Sequence, residues 1–165
     1  MMNKTMPNNR KIRFAVVGCG RISKNHFDSV AKLSKEMLLT SICDTNADVL
    51  AKTQERYSVP AYNNLNRMME NETLDLVALC TPSGLHASQA EVVAKHGVDV
   101  VTEKPMATRW SEGLRMVKAC DDAGVRLFVV KQNRHNDTLK LLKKAIEAGR
   151  FGRIYIVNIN VFWTR

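Results

Sequence analysis

An apolar run feeding a Gly-x-Gly turn constrains this chain more than any other feature. Ile12-Arg13-Phe14-Ala15-Val16-Val17 leads into Gly18-Cys19-Gly20-Arg21-Ile22-Ser23. That order predicts a buried strand, a tight turn and the start of a helix. Gly18 permits the turn, Gly20 lets the backbone approach a ligand, and the N–H groups of the new helix face negative charge. Ser23 stands at the third small position, where Gly or Ala is usual; it still allows close helix–strand packing. The unit is built to hold the pyrophosphate of a dinucleotide.

Leu38-Leu39-Thr40-Ser41-Ile42-Cys43 predicts a second strand, with Asp44 at its end. Asp44 falls in the window, about 20 residues past the turn, where a ribose-binding acid belongs. A carboxylate there accepts hydrogen bonds from ribose hydroxyls and repels a 2′-phosphate, so the expected cofactor is NAD rather than NADP. The competing reading makes Asp44 a cap of the next helix, with Asn46 and Asp48 as rival caps.

Strand and helix signals then alternate. Helices are expected over about 21–33, 47–57, 64–70, 86–96 and 111–123, and strands over about 59–62, 74–80, 98–102 and 125–130. Near-continuous apolar strands separated by helices imply an α/β fold, a doubly wound parallel sheet of the Rossmann type. A helix over 137–148 follows. Residues 153–165 read as one long strand, with Tyr155, Val157, Ile159, Val161 and Trp163 on one face and Asn158, Asn160 and Thr164 on the other. This half-buried alternation suits an antiparallel sheet, and such a strand needs partners. The expected organisation is a disordered tail over 1–10, an NAD-binding domain over 11–133, and, over 134–165, the first strand of a truncated α+β domain for substrate and oligomerisation.

Bulk properties narrow the classes further. The 165 residues, 45% of them hydrophobic, suffice for one good core. No apolar run is long enough for a membrane span, and the polar Met1–Arg10 segment is not a secretory signal. Cys19, Cys43, Cys80 and Cys120 form no C-x-x-C pair. They read as free thiols of a reducing cytoplasm, with no metal site. The net charge of +9 is spread along helices, without a nucleic-acid recognition pattern, and suits a polyanionic small molecule such as a nucleotide-sugar.

In such a sheet ligands bind beyond the carboxyl ends of the strands. Thr81-Pro82-Ser83-Gly84-Leu85-His86, Glu103-Lys104-Pro105 and Gln132-Asn133-Arg134-His135-Asn136 all fall there, as does Trp163-Thr164-Arg165. Lys104 is the candidate for proton chemistry. Its ordinary pKa of about 10.4 is high for a base, and partial burial and a cationic nicotinamide would lower it. The plainer alternative is a strand-end lysine in solvent, paired with an exposed Glu103. Thr81 and Ser83 offer hydroxyls to a ribose or form a simple turn. His86 is a hydrogen-bonding loop residue or a structural one. Arg134 clamps an anion or is a surface cation, and His26 and His96 carry no functional expectation.

Gly18-Cys19-Gly20-Arg21-Ile22, Thr81-Pro82-x-x-x-His86 and Glu103-Lys104-Pro105 together resemble the Gfo/Idh/MocA oxidoreductases. Lys131-Gln132-Asn133-Arg134 and the segment from Arg150 to Arg165 are similar to a narrower group, the UDP-N-acetylglucosaminuronate 3-dehydrogenases of bacterial surface-polysaccharide synthesis. The resemblance implies a catalytic Lys104 close to the transferred hydride. It implies an NAD site of Gly18, Gly20, Arg21, Ile22, Asp44, Thr81, Ser83, His86, Glu103, Lys104 and Gln132. Arg134, Asn136, Trp163 and Arg165 are the substrate candidates. Ser83 stands where the family often has Asn, and the family's second-domain glycine turn and Asp/His pair are absent from the 165 residues. The expected protein is a cytoplasmic, homo-oligomeric sugar dehydrogenase, of which this chain is a cofactor-binding part incomplete for catalysis. Alternatives are an inositol or simple-sugar dehydrogenase, or an NAD-binding module without chemistry.

Overall fold

The computed structural model describes residues 10–162. They divide into two compact units, one ending at Val130 and one beginning at Lys131. The first carries β1 (Ile12–Val17), α1 (Ser23–Lys32), β2 (Met37–Cys43), α2 (Ala47–Tyr57), β3 (Ala61–Tyr62), α3 (Leu65–Asn71), β4 (Leu76–Leu79), α4 (His86–Lys95), β5 (Asp99–Thr102), α5 (Trp110–Asp122) and β6 (Leu127–Val129). All strand pairs are parallel, in the order β3-β2-β1-β4-β5-β6. The doubly wound α/β expectation holds. The chain reverses its winding direction between β1 and β4, which opens a crevice at their carboxyl ends.

Apolar side chains on both faces of the sheet build two cores. One gathers Ala15, Val17, Val77, Leu79 and Val100 with Met68, Val93 and Met116; the other gathers Phe14, Val16, Ile42 and Ala78 with Phe27 and Val30. Alternate residues of β1 and β4 thus point into opposite cores, which is why these strands read as unbroken apolar runs. Each of the Val, Leu, Ile, Phe and Met side chains, fully buried, contributes roughly 1.5–3 kcal/mol. A register shift between Phe14 and Ala15 sets Ser41 opposite Ala15, and the buried Ser41 hydroxyl has no partner among the described residues.

The amino ends of the strands are tied by charge. Asp75 accepts from Arg10 at 2.7 and 2.8 Å, and from the Arg13 backbone at 2.8 Å and side chain at 3.2 Å. Asp99 accepts from the Arg126 backbone at 2.9 Å and from its guanidinium at 2.6 and 2.9 Å. Arg10, expected in a disordered tail, is therefore bonded to the sheet; the rest of that tail, residues 1–9, lies outside the described residues.

The second unit holds a short 3-10 turn (Gln132–His135) and α6 (Asp137–Glu147). In the described part of the long strand expected over 153–165, residues 153–162 carry no ladder, and Tyr155, Val157, Ile159 and Val161 are exposed; Trp163, Thr164 and Arg165 lie outside the described residues. Alternating polarity marks faces, yet a strand exists only through a backbone partner, and among the described residues this segment has none.

Candidate cofactor and active site

The glycine turn sits at the crevice. Gly18 has φ +88°, and a Cβ placed on it would come within 2.8 Å of the Cys80 carbonyl carbon and the Thr81 nitrogen. A side chain there would push apart the ends of β1 and β4, so the position requires glycine. A Cβ on Gly20 would meet nothing within 4 Å. The N–H groups of Gly20, Arg21 and Ile22 have no acceptor among the described residues. Ser23 is buried and its hydroxyl donates to the Gly20 carbonyl at 2.6 Å, closing the turn against α1. Open backbone at Gly20 and unanswered donors at a helix N-terminus fit a pyrophosphate.

The adjoining cleft encloses about 360 Å³ and is lined by Gly18, Gly20, Asp44, Asn63, Thr81 and Gln89, among others. Asp44 Oδ2 accepts from the Cys19 N–H at 2.7 Å, and Oδ1 from the Asn46 N–H at 2.8 Å. Asn46, not Asp44, caps α2, accepting from Val49 N–H at 3.1 Å. The rival capping role is thus filled by another residue. Asp44 braces the glycine turn while keeping further lone pairs for ribose hydroxyls, since each carboxylate oxygen accepts more than once. The residues present fit a dinucleotide.

Thiols surround this cleft as structural groups. Burial, with the Asp44 charge behind it, pushes the Cys19 thiol up to about 12 and Cys43 to about 11. Burial raises Cys80 as well, reinforced by Glu103. All four cysteines are free, and no cluster of metal ligands occurs among the described residues.

The loop after β4 forms a 3-10 turn over Ser83–Leu85 and then α4. The Thr81 hydroxyl donates to Gln89 Oε1 at 2.6 Å. Ser83 is half-buried. His86 is buried at the first position of α4, with Nε2 at 2.9 Å from the Thr81 carbonyl and Nδ1 at 3.0 Å from the Pro105 carbonyl. It joins the β4 loop to the Glu103-Lys104-Pro105 turn. Lys104 is exposed, and its ammonium has no carboxylate partner among the described residues. Glu103 is buried, and its Oε1 lies 2.9 Å from His26 Nε2. The alternative of an exposed Glu103–Lys104 pair is therefore wrong. Sequence reasoning passed over His26 because its partner lies 77 residues away. It also passed over Asn63 and Gln89, which carry no motif.

The structure brings the glycine turn, Asp44 and Thr81 to one cleft, and joins Thr81 to the lysine turn through His86. Gln132, Arg134 and Asn136 belong to the second unit, where all three are exposed. Trp163 and Arg165 lie outside the described residues.

A family model described as an oxidoreductase family with an NAD-binding Rossmann fold, GFO_IDH_MocA, matches residues 12–131. Among solved structures, the chain is 58% identical to the WlbA dehydrogenase from Bordetella pertussis in complex with NADH and UDP-GlcNAcA, with a TM-score of 0.92, covering 94% of this chain and 48% of that one. The corresponding WlbA complex from Chromobacterium violaceum is 50% identical, with a TM-score of 0.96, covering 100% and 48%. A myo-inositol 2-dehydrogenase from Thermotoga maritima is 29% identical over 90% of this chain and 44% of its own length. The chain thus spans about half the length of the relatives it matches. No helix among the described residues is long and apolar enough to cross a membrane. The glycine turn, the acid after β2 and the lysine turn after β5 lie within the matched stretch, and the chain belongs to the Gfo/Idh/MocA oxidoreductase family, with its NAD-binding Rossmann fold over residues 12–131.

Proposed function

We propose that this chain is the cofactor-binding part of an NAD-dependent nucleotide-sugar dehydrogenase. The reaction is oxidation of the C3 hydroxyl of a UDP-linked N-acetyl uronic acid to a 3-keto sugar. The observation that carries this reading is the 58% identity, across 94% of the chain, to a dehydrogenase held with NADH and UDP-GlcNAcA. The inositol dehydrogenase relative is 29% identical.

The chain's own residues divide the work. Gly20, Arg21 and Ile22 present N–H groups to the pyrophosphate, and Asp44 accepts from the adenosine ribose. Thr81, with Ser83, faces the cofactor from the β4 loop. Lys104 takes the proton of the sugar hydroxyl. Bound NAD supplies the hydride acceptor. Gln132 on the cofactor, and Arg134, Asn136, Trp163 and Arg165 on the sugar, complete the assignment. The domain organisation we propose is an NAD-binding domain over 11–133 and, from 134, the start of a substrate and oligomerisation domain. Free thiols around the cleft favour a reducing cytoplasm, and the product suits later steps of surface-polysaccharide synthesis.

The test is NADH formation at 340 nm by the full-length gene product, with UDP-N-acetylglucosaminuronate and with myo-inositol. Turnover of the UDP-sugar alone is the expected result. Turnover of inositol alone, or of neither, contradicts the proposal.

A further inference from the structure

We propose that His26 is a positioning residue that ties the pyrophosphate helix to Lys104; the inference rests on the function above only in giving Lys104 the proton-transfer role. His26 lies on α1, whose N-terminus closes the glycine turn. Its Nε2 stands 2.9 Å from Glu103 Oε1, and the other carboxylate oxygen, Oε2, accepts the Lys104 backbone N–H at 3.3 Å. One carboxylate thus has one oxygen on the cofactor helix and the other on the residue that bears the amine. The side chains of His26 and Glu103 are only 14% and 9% exposed. In such surroundings the bond is strong, and a carboxylate stripped of its partner is poorly satisfied.

The rest of the turn is fixed in the same manner. The Glu103 N–H donates to the Leu79 carbonyl at 3.0 Å, and the Thr102 hydroxyl donates to the Glu103 carbonyl at 3.2 Å. On the far side His86 Nδ1 stands 3.0 Å from the Pro105 carbonyl. Lys104 is therefore an exposed residue between two neighbours that each lie within 3.0 Å of a histidine ring nitrogen. One histidine comes from α1 and the other from α4, which follow the two strands flanking the crevice. The element that seats the pyrophosphate thereby also sets where the lysine stands. Proton transfer to a positioned group is lost steeply with misplacement, about 100-fold for an error near 1 Å.

The experiment compares wild type, His26→Ala and His26→Gln, since a Gln amide can replace the Nε2 donor. On this chain, amide hydrogen exchange at Lys104 reads the clamp directly and needs no substrate. Exchange at Lys104 is expected to accelerate about tenfold or more in His26→Ala, to return close to wild type in His26→Gln, and to stay unchanged in the middle of β5. On the full-length protein, kcat is expected to fall about 10- to 100-fold in His26→Ala with the NADH Kd unchanged, and to recover in His26→Gln. Unchanged exchange at Lys104 in His26→Ala overturns the proposal. So does a kcat equal to wild type, or a loss of kcat matched by an equal loss of NADH binding, which would mark a structural pair. A wild-type protein inactive on the UDP-sugar contradicts the proposed function instead, and the exchange result then decides the clamp by itself.

Discussion

The two ends of the same sheet are built on opposite rules. At the amino ends two carboxylates are answered by arginines of the same sheet: Asp75 by Arg10 and Arg13, Asp99 by Arg126. At the carboxyl ends valences are left open. Asp44 braces the turn with backbone bonds and has no cationic partner among the described residues, Lys104 has no carboxylate, and the Gly20 to Ile22 donors have no acceptor. Polar groups at one end stabilise the fold, and those at the other wait for a ligand. Glu103 departs from the pattern, being buried and bonded to His26 at the open end, and it does so beside the lysine.

The comparison is sharpened most by Lys104→Ala. In the full-length protein we expect kcat to fall roughly 10²- to 10⁴-fold, the range of a positioned acid or base, while the NADH Kd moves less than about threefold and the melting temperature holds. Steady-state kinetics, fluorescence titration and calorimetric melting check the three parts. Near wild-type turnover would make Lys104 a solvated strand end.

Asp75→Asn should do the reverse. Burial opposes ionisation of Asp75, but the hydrogen bonds from Arg10 and Arg13 outweigh it and hold the carboxyl well below the usual carboxylate range. A lowered folded-state pKa means stability present above the unfolded value near 4 and lost as pH falls through the folded one. We expect Asp75→Asn to unfold about 2 kcal/mol more easily at pH 7, with the gap closing below pH 4 and NADH affinity intact. Urea unfolding across pH 2–7 measures it. A gap as large at pH 2 as at pH 7 would contradict the ion-pair account.

The smallest effect concerns neither end. Ser41→Ala removes a buried hydroxyl that has no partner among the described residues. We expect a gain of about 1 kcal/mol, seen as a rise of a few degrees in the melting temperature. A loss of stability would show that the hydroxyl is bonded.

How much of this was legible depended on distance along the chain. The Gly18 turn, Asp44 after β2 and the Glu103-Lys104-Pro105 turn are local patterns, each a strand end followed by a few residues of fixed type. The parallel order followed from alternation and winding rules. The His26–Glu103 bond, the His86 bridge and the Arg10–Asp75 pair were hidden because only the β1-β4-β5 neighbourhood brings those residues together. The segment after Gly152 failed in another way. Its alternation of Tyr155, Val157, Ile159 and Val161 describes two faces, and faces carry no information about a backbone partner.

The proposed function makes the open end an NAD site in which Asp44 selects the cofactor. Its most direct test is a calorimetric titration of this chain with NADH and NADPH, repeated for Asp44→Ala. A 2′-phosphate about 4 Å from the carboxylate meets repulsion of roughly 4 kcal/mol at an effective dielectric near 20, close to a thousandfold in Kd. Wild type is expected to favour NADH by a large factor, up to that size, and Asp44→Ala to lose most of the preference. Equal affinities in wild type, tighter NADPH, or a preference untouched by Asp44→Ala would contradict it.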